Sequence, residues 1–567
     1  MKRFVIKITY FLNLLYNSAM NFTQEQNDII TSTEKILKVN AVAGSGKTTT
    51  LLAYANARKN KSILYLAYNR AIADEIREKL LQQNISHVNV TTIHALAYKA
   101  TQAWEYKFSE LDEMRVSKLI GSKNPLYSWL IKDLLSFYCN SRLKALDAKL
   151  LENYLHTTRP SLEIIKIMES QSIEVLGHIK FLLTQMRQKL MPISHDFYLK
   201  LYYLFKPKLN YDVIMVDEAQ DISDVMAGII EMQIANNSAV NIVYVGDSFQ
   251  QIYGFRFAIN ALSKIDAKSL SLSQSFRFGD GYAKKIVEIL NEGYKKIDMP
   301  LLEMRGSENY TKLGFKAIDF SKQFTVISRS NMALFESVLQ RMKEGKKLYF
   351  EGGYSGYNFM NKTVFSILKL HNEEHEKVDH ELISEFDSTK SLKTYANDTQ
   401  NQNLKNMISL VERHDTKLFD FNTKIKESLI EEQNSADIVF STTHKSKGKE
   451  YAQVIMTSED FVTLESVQKS MEADDFQAMK VQEELNIFYV AATRVKDVMM
   501  LAPFEKKESV SDKSFFRKKQ MYDFEKEAQQ RSREKYVVKK EKPAYKKRAD
   551  KKNEKSMINQ WKKENGY

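Results

Sequence analysis

The sequence predicts an α/β protein with two parallel-sheet domains, each carrying a largely helical insertion. Two observations carry this expectation. Short apolar, β-branched runs recur in two separate series, with stretches of helical composition between them. The first series contains a strand–loop–helix–strand unit at residues 36–67, and strands joined through a helix lie parallel in one sheet.

Taken in order, Ile36–Val42 is apolar and strand-like, Gly44-Ser45-Gly46 breaks it, Lys47–Asn60 has helical composition, and Ser62–Ala67 is again strand-like. Val88–Thr92, Tyr211–Val216 and Val240–Val245 supply further strands ending in polar residues, which puts ligand-binding groups at their carboxyl ends. A Leu-, Lys- and Tyr-rich helical insertion fills 101–205. The second series is Phe324–Ser328, Asp437–Ser441, Gln453–Thr457 and Val498–Leu501, interrupted near 355–432 by a polar, helix-like stretch. No repeat of 20–50 residues is present. The expected division is 21–100 with 206–278 for the first domain, 279–354 with 433–504 for the second, 355–432 as a short accessory insertion, and 505–567 as a tail.

Residues 1–20 have a basic start and an apolar middle, but Lys7, Asn13 and Asn17 interrupt it and it is too short to span a membrane. Met20 opens a natural-looking beginning, so an extra leader or an early start is preferred to export. With no other run of eighteen apolar residues, the chain reads as soluble and cytoplasmic.

Hydrophobic residues at 43% and charged ones at 27% exclude a wholly disordered chain, and 18 Gly with 7 Pro exclude collagen-like architectures. The single cysteine, Cys139, excludes an intramolecular disulfide or a Cys-built metal site and fits a reducing compartment. Of the net +13, residues 505–567 hold +10, from 21 Lys/Arg against 11 Asp/Glu. A basic tail on a nearly neutral body suits a polyanion or a protein partner; a merely solubilising tail is the equal alternative.

Two motifs carry chemistry. Ala43-Gly44-Ser45-Gly46-Lys47-Thr48, between a strand and a helix, reads as a phosphate-binding loop, although the pattern starts at Ala41 rather than Gly. Its glycines turn backbone N–H groups toward phosphate, Lys47 reaches the β/γ-phosphates of ATP, and Thr48 offers a hydroxyl to Mg²⁺. Val213-Ile214-Met215-Val216-Asp217-Glu218 is its complement, an apolar strand ending in two carboxylates. Asp217 suits Mg²⁺ and Glu218 suits the attacking water; capping a helix is the plainer alternative.

Asp217-Glu218-Ala219-Gln220-Asp221, Val245-Gly246-Asp247-Ser248-Phe249-Gln250-Gln251-Ile252-Tyr253, Gln274-Ser275-Phe276-Arg277, Thr443-His444-Lys445-Ser446-Lys447-Gly448-Lys449-Glu450 and Phe488-Tyr489-Val490-Ala491-Ala492-Thr493-Arg494 follow in one order. Together this set resembles the motifs of UvrD/Rep-like superfamily 1 DNA helicases over about residues 22–502. Ala67-Tyr68-Asn69-Arg70-Ala71-Ile72-Ala73, Thr92-Ile93-His94-Ala95-Leu96-Ala97-Tyr98 and Ser275-Phe276-Arg277-Phe278 look closest to the F-box DNA helicase branch, without its F-box.

The resemblance implies two RecA-like domains with ATP between them and single-stranded DNA across their top. It implies that Gln26 reads adenine, Phe276 stacks on it, Gln250 senses the γ-phosphate, Arg277 and Arg494 stabilise the transferred phosphoryl, and Glu450 holds the ribose. Tyr68, Tyr253 and Phe255 match positions that stack or wedge bases, and Asn69, Arg70, His94, Arg256, Thr443 and His444 lie in motifs lining the strand. Two departures stand out: Thr49 replaces a common Arg, and Lys449 replaces the usual Leu before Glu450. The accessory insertion is short for such proteins. The expected function is an ATP-dependent helicase acting on single strands and single/double-strand junctions, 3′→5′ by resemblance. A translocase that strips proteins from DNA, or an ATP-switched interaction protein partnered with a nuclease, are the alternatives.

Overall fold

The computed structural model describes residues 21–501, apart from 255–256, 258–259, 343–344, 458–459 and 471–474. The leader, the tail, Phe255 and Arg256 therefore lie outside the described residues.

Two six-stranded, all-parallel sheets organise the chain. The first takes β1 (Ile36–Ala41), β2 (Ile63–Leu66), β3 (Val88–Thr91), β4 (Val213–Val216), β5 (Asn241–Gly246) and β6 (Lys268–Leu272), in the order β3-β2-β4-β5-β1-β6. All four residues of β2 and all four of β4 are buried, as expected for strands covered on both faces. β6, Lys-Ser-Leu-Ser-Leu, is an edge strand with a mostly exposed face, and its lack of an apolar run hides it in the sequence. β7 (Gln274–Gly279) leaves this sheet and pairs with β8 (Arg305–Ser307).

The second sheet uses β9 (Lys312–Leu313), β10 (Phe324–Ser328), β11 (Leu348–Phe350), β12 (Ile438–Thr442), β13 (Tyr451–Met456) and β14 (Val495–Leu501), ordered β11-β12-β10-β13-β14-β9. The fold is thus α/β with parallel sheets, as the sequence predicts.

Each sheet shares one face with an inserted set of helices. Between β3 and β4, helices including Pro125–Asn140 and His195–Leu204 pack Leu130, Leu134 and Leu199 against Leu64, Ile214 and Ile242. Between β11 and β12, helices including Lys362–His371 and Gln402–His414 pack Ile367, Ile408 and Val411 against Val326, Ile438 and Phe440. Such fully buried aliphatics each contribute roughly 1.5–3 kcal/mol, so the insertions are held by the sheets rather than hung from them. A third core, built on helices Asp280–Lys296 and Asp475–Ala492, takes in Val42 and Ala43 beside the phosphate loop.

Candidate functional site

The carboxyl ends of β1, β4 and β5 are neighbours, and they bring the loop, the paired acids and Asp247 together. After β1 the backbone turns through Gly44 (φ 75°) and Gly46 (φ 78°), left-handed positions that suit glycine. A β-carbon on Gly44 would stand 2.8 Å from both Arg277 Cβ and Ser275 Oγ, so the loop is pressed against β7. Helix Lys47–Asn56 begins with no side-chain cap, and the buried Ser45 hydroxyl has no hydrogen-bond partner among the described residues. An uncapped helix start, an orphan buried hydroxyl and a lysine suit a phosphate anion.

Lys47 Nζ donates to Glu218 Oε1 at 2.9 Å. Burial opposes the charge on Lys47, but Glu218, Asp217 and Asp247 outweigh it and raise its pKa. Burial likewise opposes ionisation of Glu218, yet Lys47 and Lys447 hold it down at about 2. Burial and the adjacent Glu218 push Asp217 up to about 6, against Lys47. Asp217 is fixed by the Tyr65 hydroxyl at 2.7 Å and the Glu218 N–H at 2.9 Å. Glu218 accepts Gln220 Nε2 at 2.6 Å, and Gln220 Oε1 accepts the Asp247 N–H at 3.1 Å. Asp247 accepts Gln250 Nε2 at 2.8 Å.

Gln26 lies beside this loop, with Nε2 on Thr50 Oγ1 at 3.2 Å and Oε1 accepting the Thr23 N–H at 3.0 Å. A β-carbon on Gly46 would meet Gln26 Nε2 at 3.2 Å and the Phe276 ring at 3.9 Å, so amide, glycine and an exposed aromatic ring meet at one place. Thr48 and Thr49 stand half-buried in the first helical turn. Arg277 donates to Glu450 Oε1 through Nε (2.9 Å) and Nη2 (2.7 Å), and Lys496 holds the other oxygen of Glu450 at 3.0 Å. Arg494 is buried, with Nε on the Val490 carbonyl at 2.7 Å; burial, then Arg277, pushes its pKa down to about 9.

A groove of about 1410 Å³ runs from Asp217 and Asp221 past Tyr68, Asn69, Arg70, His94 and Tyr253. The Tyr68 and Tyr253 rings stack at 5.9 Å with 16° between planes. Asn69 caps the helix Arg70–Gln82 by accepting the Ile72 N–H at 2.9 Å, and Arg70 projects into solvent. His444 packs against Tyr253 and donates Nε2 to the Ile252 carbonyl at 3.1 Å. Burial, then Arg329, holds its imidazole down at about 4, so it is neutral at pH 7. Thr443, expected in a motif lining the strand, has its side chain fully buried and away from the groove, its hydroxyl directed at the Ser328 carbonyl at 3.4 Å.

The sequence reading missed four side chains that hold these parts together. The Tyr489 hydroxyl accepts the Ala43 N–H at 2.9 Å and donates to Asp247 Oδ2 at 3.0 Å, joining the second half to the phosphate loop. Lys447 ion-pairs with Asp221, donates to the Gln250 carbonyl at 2.7 Å and sits 4.9 Å above the Tyr253 ring. Tyr489, Asp247 and Lys447 all lie inside quoted motifs, which was the available signal; Tyr65, in mid-strand, gave none.

Residues 25–256 match the model of an AAA domain, and residues 148–506, well over half the chain, match that of the UvrD-like helicase C-terminal domain. The chain belongs to the UvrD-like helicase family. This UvrD-like chain is 28% identical over 524 residues to F-box DNA helicase 1 of Gallus gallus, covering 86% of itself and 49% of that relative. It is 28% identical over 505 residues to F-box DNA helicase protein 1 of Schizosaccharomyces pombe, covering 82% and 55%. It is also 24% identical over 295 residues to a probable DNA helicase II homolog of Mycoplasma capricolum, covering 48% and 38%. The chain spans about half the length of the two F-box relatives. Among its described residues no helix is long and apolar enough to cross a membrane.

Proposed function

We propose that this chain is an ATP-dependent DNA helicase that moves 3′→5′ on single-stranded DNA and opens duplex at single/double-strand junctions. The observation that carries the reading is a continuous groove from Asp217 and Asp221, beside Lys47, to the stacked Tyr68 and Tyr253. The stacking cavity thus reaches Asp217, the neighbour of the Glu218 that holds Lys47 at the edge of the phosphate site.

In this reading Lys47 exchanges Glu218 for the phosphates of ATP, freeing Glu218 to orient the attacking water. Gln26 and Phe276 take the adenine, Glu450 the ribose, and Arg277 with Arg494 the developing phosphoryl charge. Thr48 and Asp217 would hold Mg²⁺, which when bound neutralises charge between the β- and γ-phosphates. Gln250 and Lys447 connect that chemistry to Tyr253, so a change at the phosphates is felt where bases stack. We further assign 21–100 with 206–278 and 279–354 with 433–504 as the two motor domains, and the basic tail as a tether to nucleic acid or an acidic protein.

The test is ATP turnover with and without oligonucleotide, followed by unwinding of forked, 3′-tailed and 5′-tailed duplexes. Stimulated turnover with opening of 3′-tailed and forked substrates is expected. Turnover that ignores DNA would reject the reading, and opening of 5′-tailed duplex alone would reject the polarity.

A further inference from the structure

Helix Lys47–Asn56 carries a buried hydroxyl that none of the roles above uses. Thr50, in the turn after the phosphate loop, is 1% exposed, and its hydroxyl donates to the Gly46 carbonyl at 3.0 Å. That carbonyl also takes the Thr50 N–H at 2.9 Å. A helical threonine often makes such a bond to the preceding turn, and the bond needs nothing further. Here the oxygen of the same hydroxyl also accepts Gln26 Nε2 at 3.2 Å, from the neighbouring helix Gln24–Thr31.

Two bonds settle which end of the Gln26 amide is which. A main-chain N–H only donates, so the end that meets the Thr23 N–H at 3.0 Å is Oε1. A main-chain carbonyl only accepts, so the Thr50 proton lies on Gly46 and the hydroxyl offers Nε2 a lone pair. Gln26 is itself 5% exposed, and its own N–H donates to Thr23 Oγ1 at 3.2 Å. A side-chain amide has two N–H groups and two carbonyl lone pairs. Among the described residues one of each is spent on the protein and one of each remains. The half-open Phe276 ring stands with Nε2 over Gly46, and its N–H donates to the Gly44 carbonyl at 2.9 Å, so ring and amide are both fixed to the loop.

We propose that Thr50 is a positioning residue for base choice: by holding the Gln26 amide in one orientation, it makes the nucleotide site accept adenine and refuse guanine. The proposal rests on the assignment of Gln26 and Phe276 to the base in the reading above. The N–H and lone pair left on Gln26 match N7 and the N6 amino group of adenine, an acceptor beside a donor. Guanine presents two acceptors, N7 and O6, along the same edge, so the carbonyl of a fixed amide would face O6 oxygen to oxygen. An amide free to swing turns its NH₂ to O6 instead and tolerates both bases. The Thr50 bond removes that freedom before the nucleotide arrives. Stacking on Phe276 suits any base, so the choice between purines falls to the amide.

The experiment displaces a ribose-labelled fluorescent ADP with unlabelled ADP and with GDP, on the full chain without DNA, and compares the two affinities. The parent is expected to bind ADP at least about tenfold more tightly than GDP, the discrimination a good two-point contact to a base edge provides. Thr50→Val keeps the branched shape and removes the hydroxyl. It should bring the ratio below about threefold by weakening ADP, with GDP changed by less than about twofold. Thr50→Ser restores the hydroxyl and should keep the parent ratio. Thr50→Ala, which favours the helix, repeats the comparison if the valine disturbs folding. Equal weakening of both nucleotides would make Thr50 a packing residue and overturn the proposal, as would a serine variant that behaves like the valine one, or a parent that binds the two alike. DNA stimulation of the parent's ATPase is read separately. Stimulated turnover without base preference removes the role of Thr50 and leaves the helicase reading standing; base preference that depends on Thr50, with turnover that ignores DNA, does the reverse.

Discussion

The two sheets share an architecture of six parallel strands with a helical insertion on one face, but their strand ends differ. In the first, β1 runs into the glycine loop, β4 into Asp217 and Glu218, and β5 into Asp247. In the second, the matching ends are buried hydroxyls, Ser328 and Thr442 as the last residues of β10 and β12, with Thr443 just after. The second half brings its polar groups in from elsewhere: Glu450 before β13, and Tyr489 and Arg494 around the end of the helix preceding β14. A shared topology therefore supplies a frame, and the chemistry resides in what each strand end carries. The first sheet holds charge poised for an anion, whereas the second completes that site from the side.

The sharpest break of this asymmetry is Lys47→Ala. It removes the cation from the first sheet's cluster without emptying an apolar core, leaving Glu218, Asp217 and Asp247 without their shared counter-charge. ATP turnover should fall by about 100- to 1000-fold, roughly 3–4 kcal/mol of lost stabilisation, with the circular dichroism spectrum unchanged. Near-parent turnover in the folded variant would detach the phosphate role from the first sheet.

Within the second half, the contact between the sheet's helix and its insertion should answer to pH. Glu336, on the helix Asn331–Arg341 after β10, accepts Arg413 Nη1 at 2.8 Å and meets His414 Nε2 at 2.9 Å, both from the insertion. Burial opposes its charge, but His414 and Arg413 hold the carboxyl down at about 2, below its ordinary 4.5. A carboxyl depressed on folding stabilises above its unfolded pKa, and that stability is lost as pH falls from about 4.5 through about 2. Glu336→Gln should therefore lower unfolding free energy near neutrality by about 2–3 kcal/mol and lose less on acidification across that window. A denaturant titration at pH 7 and pH 3 checks it; parallel losses in parent and variant would show the ion pairs to be idle.

Legibility followed burial and motif order. Strands of the sheet centres, such as Val213–Val216 and Phe324–Ser328, read clearly because burial on both faces demands unbroken apolar runs. β6, β9 and β11 were missed because an edge strand of alternating Ser and Leu, or one of two or three residues, has no such demand. At the site, the ordered motifs gave the residues that meet around the phosphate loop. They did not give the bonds among them. That Gln26 is shared between Thr23 and Thr50, or that Thr443 turns inward to Ser328, follows from three-dimensional placement, which spacing along a chain does not encode.

The smallest expected effect tests the link between the halves. Tyr489 is fully buried, and Phe fills the same volume, so Tyr489→Phe removes only an oxygen. That oxygen accepts the Ala43 N–H and donates to Asp247, so its loss leaves a loop donor and a carboxylate lone pair unpaired in a dry place. The cost of stranding such groups is about 1–2 kcal/mol. If the second sheet merely packs against the first, that cost appears as a lower melting temperature with unaltered kinetics. If it completes the site, the phosphate loop loses its fixed position relative to Asp247. Turnover at saturating DNA then falls roughly 5- to 30-fold while KM for ATP changes little. The decisive measurement is kcat against KM in a variant whose thermal unfolding is also recorded. A stability loss with parent kcat would make Tyr489 a packing residue, and the asymmetry between the sheets would then end at the first one.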